Sequence, residues 1–316
     1  MNAHSQPKLS LIERAAQVYD FDAALRRRQA DDFMLDADEA ETLASAAPAM
    51  APAEASSRSK ASSGSHPGAR ARESYDGPAS GTVDREALTA RGFVLPDAPV
   101  GTLAEELRIV KRGLLAAVRA KGAGKGQVVM ICSARPDDGK TFTAVNLAMS
   151  LAGERDIETL LIDGDVAKPE VLSTLGLEGG AGLVDALADP FVDVEQLVIR
   201  TDVGNLSVLP AGRQAHDATE LLASGRMAEL LRDLTSARAE RVILFDSPPA
   251  LAASAASAIA GHAGQVVMVV RADQTSEADL REAVGLVAGC SDIKLVLNGA
   301  AQPTGKKRFS YYGAGQ

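Results

Sequence analysis

A strand-like run QVVMICS leads into Ala134-Arg-Pro-Asp-Asp-Gly139-Lys140-Thr141 and then into the helical run FTAVNLAMSLA. The middle segment reads G-x-x-x-x-G-K-[ST] with Ala at the first glycine position. Backbone N–H groups of such a loop, together with the N-terminus of the next helix, cradle nucleotide phosphates. Its Lys reaches the β and γ groups, and its hydroxyl holds Mg2+. The expected nucleotide cradle is therefore Ala134, Arg135, Pro136, Asp137, Asp138, Gly139, Lys140, Thr141 and Phe142, with ATP and Mg2+ as cofactors. Ala134 suits a tight turn if its φ is negative. Asp tolerates left-handed backbone better than most residues, and the carboxylates of Asp137 and Asp138 can both point to solvent.

Further acids stand where such a loop needs them. LLIDGDVAKP places Asp163 and Asp165 two residues apart, toward one side of an extended chain. One carboxylate can serve Mg2+ through water while the other accepts a proton from an attacking hydroxyl. Loops are often acidic, so it is the position after the strand that follows the phosphate loop that gives the pair weight. RVILFDSPP delivers Asp246 after an apolar run, either as a second Mg2+ acid or as a helix cap. Lys140, Asp163 and Asp165 are the candidate catalytic groups, and Thr141, Asp165 and Asp246 the candidate metal ligands. Asn298, closing KLVLNGA, can offer its amide to an adenine edge or cap a turn. Tyr311 and Tyr312 lie side by side in the tail KKRFSYYGAGQ, which reads as a substrate segment able to enter a neighbour's site, or as a frayed terminus.

These residues need a scaffold, and the patterning predicts one. Short runs rich in Val, Ile and Leu occupy 127–133, 159–163, 206–209, 241–246, 265–271 and 293–298, with helical stretches between them. Near-continuous apolar strands alternating with helices signal a mostly parallel sheet covered on both faces, the α/β architecture of P-loop NTPases. Ligands in such sheets bind beyond the carboxyl ends of the strands, where the candidate acids cluster. Ahead of the first strand, Thr102 and Glu105 stand in capping-box spacing before the helical run LAEELRIVKRGLLAAVRA, which Gly122 and Gly124 should stop.

Toward the N-terminus, residues 1–43 read as a short helical segment with Leu9, Ile12, Ala16 and Leu25 at near-helical spacing. From residue 44 to 100 the chain reads as a disordered linker, its first part dominated by Ala, Ser, Pro and Gly. Residues 101–305 form the expected ATP-binding domain and 306–316 a flexible tyrosine tail. A formal charge of −9 argues against a nucleic-acid partner. Two cysteines, Cys132 and Cys290, imply neither a disulfide framework nor a zinc cluster. No run approaches the roughly 18 apolar residues of a membrane span, so a cytoplasmic protein with no direct span is expected.

The landmarks GKTFTAVNLA, LLIDGDVAKP, LPAG followed by TELLAS, FDSPP, GQVVMVVRAD and VLNGA, with the opening SLIERA, resemble the bacterial tyrosine kinases (BY-kinases) of capsular and exopolysaccharide synthesis. The likeness is strongest to the separate-chain autokinases of exosortase-linked (XrtA-associated) gene clusters. It implies that Lys140 and Thr141 bind nucleotide and Mg2+, that Asp163, Asp165 and Asp246 are the kinase acids, and that Tyr311 and Tyr312 are phosphoacceptors. It also implies a homo-oligomer through a Glu-x-x-Arg-x-x-Arg motif, here Glu105, Arg108 and Lys111 with Arg112 one residue on. A transmembrane polysaccharide co-polymerase on a separate chain would recruit the protein to the inner face of the plasma membrane. The competing reading is a MinD/ParA-like ATPase switch. Those proteins carry a signature Lys early in the phosphate loop, where this chain has Ala134 and Arg135.

Overall fold

The computed structural model describes residues 79–99 and 101–300. The expected N-terminal helix, the linker up to residue 78 and the tyrosine tail lie outside the described residues. Eight strands form one sheet: β1 (Ser80–Gly81), β2 (Val128–Ser133), β3 (Glu158–Asp163), β4 (Ile199–Thr201), β5 (Leu206–Leu209), β6 (Arg241–Asp246), β7 (Gln265–Arg271) and β8 (Ile293–Asn298). Their order is β1-β4-β5-β3-β6-β2-β7-β8, and only the β4–β5 pairing is antiparallel. The six expected strands are all present. The two additional ones, β1 and β4, have two and three residues, too short to show a period.

Central strands β2 and β6 are buried along their whole length. Because successive side chains alternate between faces, each strand feeds two separate cores. Met130, Cys132, Ile162, Phe245 and Met268 pack on one face with helices α5 (Leu183–Ala188), α7 (Gly225–Ser236), α8 (Ala255–His262) and α9 (Glu277–Leu286). Val129, Ile131, Leu161, Leu244 and Val267 pack on the other with α1 (Arg85–Ala90), α2 (Thr102–Lys121), α3 (Lys140–Ala152) and α4 (Val171–Leu175). A short α6 (Ala218–Ala223) completes the described α-helices. Among the described residues no helix is long and apolar enough to cross a membrane.

The expected linker ends earlier than residue 100. Asp84 caps α1 by accepting from Ala87 N–H (2.9 Å), Val83 N–H donates to Asp202 (2.8 Å), and Asp84 N–H donates to Leu175 O (2.9 Å). Leu88 is fully buried, Phe93 stacks on Phe142 with ring centroids 4.9 Å apart, and Val94 N–H donates to the Asn146 side chain (2.8 Å). Val83, Leu88 and Phe93 are too widely spaced for a periodic signal, and they order by docking onto α3 and α4. This arm therefore reaches the first turn of the helix that follows the phosphate loop.

Helix α2 also starts differently from its capping-box spacing. Gly101 is the cap with extended backbone and no side-chain bond, and Thr102 is already helical. Glu105, freed from that role, pairs with Arg108. The glycine stop is as expected, Gly122 and Gly124 both holding positive φ.

Replacing Leu88 with Ala should lower unfolding free energy by about 2–5 kcal/mol through the cavity it leaves, measured by denaturant titration. An unchanged midpoint would mean that the arm over residues 79–99 does not dock.

Candidate active site

Strand β2 ends in the phosphate loop, whose entry is pinned by two bonds from the segment after β6. Ala250 N–H donates to Ser133 O (2.8 Å) and Leu251 N–H to Ala134 O (3.2 Å). Ala134 is buried and is not among the positive-φ residues, so the missing glycine costs nothing there. Asp137 and Gly139 do take left-handed backbone, at φ 64 and φ 95. Arg135, Pro136 and Asp137 are exposed. The expectation that both carboxylates face solvent holds for Asp137 alone. Asp138 is 3% exposed, because its carboxylate accepts the otherwise unpaired Arg135 N–H (3.0 Å) and the Thr275 hydroxyl (3.1 Å).

Asn298 closes β8 beside this loop. Its amide donates one N–H to Asp138 O (2.9 Å), so it braces the loop and keeps its second N–H and its oxygen for another partner. A Cβ on Gly139 would fall 2.1 Å from that amide nitrogen, so position 139 needs glycine for space as well as for φ.

Parallel register sets Asp163 of β3 beside Asp246 of β6. Helix α3 opens at Lys140, and from its first turn Thr141 Oγ1 donates to Asp246 Oδ2 (2.7 Å). Lys140 Nζ lies 2.9 Å from Asp165 Oδ2 and 3.3 Å from Thr141 Oγ1. A chain Asp165–Lys140–Thr141–Asp246 thus joins the start of α3, the turn after β3 and the carboxyl end of β6. Asp163 stands behind it: its Oδ2 accepts Val171 N–H at the start of α4 (3.0 Å), with no hydrogen bond to Lys140 or Thr141. Lys168, just beyond Asp165, is exposed and bonded to Glu170 (2.8 Å), with the charge of Asp137 also acting on it.

Burial dominates the electrostatics of Asp163 and Asp246. It pushes the Asp163 carboxyl up to about 7, opposed by the Val171 N–H and reinforced by the charges of Asp246 and Asp165. Asp246 is pushed up to about 6 by burial, against the Lys140 charge and the Thr141 bond. For Lys140 burial disfavours the ammonium, but Asp246 and Asp165 outweigh it and hold its pKa above the usual value. Lys140 therefore remains charged, while Asp163 sits near neutrality, where a carboxylate can both accept and release a proton.

The donor set suits a hard cation. Asp246 Oδ1 and Asp163 Oδ1 are buried without a hydrogen-bond partner, and the Thr141 hydroxyl and Asp165 carboxylate lie in the same chain of contacts. No group of three His, Cys, Asp or Glu among the described residues could hold an ion alone. That pattern fits Mg2+, which keeps waters and shares its shell with nucleotide phosphates. When bound, the ion supplies charge neutralisation between phosphate oxygens. Thr141, Asp246 and Asp165 would hold it, Lys140 would meet the phosphates, and a carboxylate of the Asp163–Asp165 pair would supply a proton acceptor.

The expected oligomerisation residues sit on α2 but face different ways. Arg108 pairs with Glu105 at the surface (2.9 Å). Lys111 is turned inward, its side chain 12% exposed, bonded to Ser150 O (2.9 Å) and Glu154 (2.6 Å) at the end of α3. Arg108, Lys111, Arg112, Arg119 and Glu154 line a groove of about 400 Å3. Tyr311 and Tyr312 lie outside the described residues. Sequence reasoning missed Thr275 and Phe93, which carry no motif and become visible only through contact with the loop and its helix.

A family model described as an AAA domain matches residues 126–292. EpsB of Ralstonia nicotianae, provisionally named a tyrosine-protein kinase, is 31% identical over 222 residues, covering 66% of this chain and 28% of EpsB. The chain therefore spans less than a third of that relative. The tyrosine-protein kinase YwqD of Bacillus subtilis is 33% identical over 187 residues, 58% of this chain and 77% of YwqD. The succinoglycan biosynthesis transport protein ExoP of Rhizobium meliloti is 37% identical over 154 residues, 46% of this chain and 18% of ExoP. Among solved structures, the kinase domain of VpsO superposes with a TM-score of 0.54 at 35% identity, over 63% of this chain and 95% of that one.

The raised carboxyl of Asp163 has a stability consequence in metal-free, nucleotide-free protein. Its folded pKa, about 7, exceeds the unfolded one, so the folded state binds the proton more tightly. That contribution is complete below about pH 4 and is lost as pH rises to about 7. Wild-type protein should lose stability relative to Asp163→Asn across this window, measured by denaturant melts at several pH values. A constant difference would contradict the buried, poorly solvated carboxyl.

Proposed function

Since the chain belongs to the bacterial tyrosine-kinase family, we propose that it is an ATP-dependent protein-tyrosine autokinase of the exosortase-associated type that regulates exopolysaccharide polymerisation or export. The observation that carries this reading is the contact chain Asp165–Lys140–Thr141–Asp246 at the mouth of the phosphate loop, with Asp163 behind it.

In this reading loop residues 134–142 hold ATP, and the N-terminus of α3 faces its phosphates. Lys140 follows the charge that builds on the transferred phosphoryl group, leaving Asp165 for the phosphates as nucleotide enters. Thr141, Asp165 and Asp246 would position Mg2+. Of the pair Asp163 and Asp165, one takes the proton from an incoming tyrosine hydroxyl while the other helps to place the reactants. The acceptors are Tyr311 and Tyr312 of a neighbouring copy, so transfer occurs in trans.

Self-association would draw on Glu105 and Arg108, which are at the surface, with Arg112 in place of the inward-turned Lys111. A transmembrane polysaccharide co-polymerase on a separate chain would bring the protein to the inner face of the plasma membrane. The name of ExoP, a succinoglycan transport protein, supports the polysaccharide context.

Purified full-length protein incubated with Mg2+ and labelled ATP should accumulate phosphotyrosine, mapped by mass spectrometry to Tyr311 and Tyr312. Lys140→Met should reduce the label at least a hundredfold, and Tyr311→Phe with Tyr312→Phe should remove most of it. Release of free phosphate without labelled protein would instead identify an ATPase switch.

A further inference from the structure

Asp137 and Gly139 flank Asp138, and both hold left-handed backbone. Asp tolerates that region better than most residues, but a fixed turn there still needs contacts that hold it. Asp138 is the residue through which the surroundings act. Its buried carboxylate takes the Arg135 N–H inside the loop and the Thr275 hydroxyl from outside it, while its carbonyl takes the Asn298 amide.

Thr275 lies in the connection between β7 and α9. Its hydroxyl oxygen accepts Arg271 N–H (2.9 Å), and its one hydrogen is committed to Asp138, a partner that can only accept. A second tie runs alongside, Arg135 Nη1 lying 3.5 Å from the Asp279 carboxylate in the first turn of α9. The connection after β7 is thereby fastened to the phosphate loop on the side away from Lys140, Thr141 and the acids.

We propose that Thr275 is a positioning residue for nucleotide binding. Through the Asp138 carboxylate its hydroxyl holds the loop's backbone N–H groups in the shape that receives a nucleoside triphosphate. This rests on the reading of residues 134–142 as the nucleotide site, and adds to it a residue far away in sequence. Removing the hydroxyl leaves a buried carboxylate with one partner fewer and releases the left-handed turn, so the loop must be reordered each time nucleotide enters.

The test uses the full chain, Mg2+ and a fluorescent ATP analogue. Thr275→Val keeps the shape and removes the hydroxyl, and Thr275→Ser keeps the hydroxyl. Thr275→Val should raise Kd about tenfold, Thr275→Ser should stay within about twofold of wild type, and KM for ATP should rise while kcat is retained. In an Asp138→Ala background the Thr275→Val penalty should shrink, because the bond has already lost its other end. Asp138→Ala alone should also weaken binding, which keeps the bond testable if Thr275→Val does not fold.

Unchanged affinity in Thr275→Val, equal losses in the Val and Ser variants, or fully additive losses with Asp138→Ala would overturn the proposal. So would a fall in thermal stability without a change in Kd. Wild-type protein that binds no nucleotide would overturn the reading of the loop and this inference with it, whereas wild-type binding that Thr275→Val leaves unaltered overturns this inference alone.

Discussion

Asp246 is fully buried at the end of the central strand β6, with one oxygen bonded to Thr141 and the other without a partner. A carboxylate in that position is costly, and the structure answers the cost with a single cation. Lys140 is held beside it by the start of α3, and α3 is held there by the loop whose first residues are pinned to Ala250 and Leu251. Phosphate loop, helix and central strands are therefore mutually dependent. The acids need the lysine, and the lysine needs the turn that starts its helix.

The same logic governs the opposite end of β6, with different chemistry. Arg241 is buried to about the same degree as Asp246, but its guanidinium is bonded to both Glu158 and Glu195 and to Leu234 O. One end of the strand carries a cation with its donors matched. The other carries an anion with acceptor capacity to spare. A protein that merely needed a stable sheet could have satisfied both ends alike, and the imbalance marks the carboxyl end as the place where something else is to be held.

Much of this was legible in the sequence, for identifiable reasons. The six long strands are continuous apolar runs, and the phosphate loop has a fixed spacing, so both announce themselves locally. Asp163 and Asp246 fall at strand ends, and parallel register then brings them side by side. What escaped was whatever depends on tertiary contact. The arm over residues 79–99 has too few apolar residues to read as structured, yet Val83, Leu88 and Phe93 each find a buried seat. Asp138 looked like a solvated loop acid because its partners, Thr275 and Asn298, are more than a hundred residues away. The capping box at Thr102 failed because a glycine with extended backbone served as the cap.

Strand order has a temporal corollary. Strand β6 lies between β2 and β3, so the two strands that flank the phosphate loop and its helix in sequence do not touch each other in the sheet. Thr141 and Asp246 are separated by 105 positions, and long-range parallel pairing forms slowly because loop closure must precede it. As the chain emerges from the ribosome, the entire phosphate-loop motif is present well before the strand that completes its pocket. A nascent chain stopped before residue 241 would carry the motif intact and have no site. Competence for nucleotide thus arrives late and all at once, as a certificate that the middle of the sheet has closed.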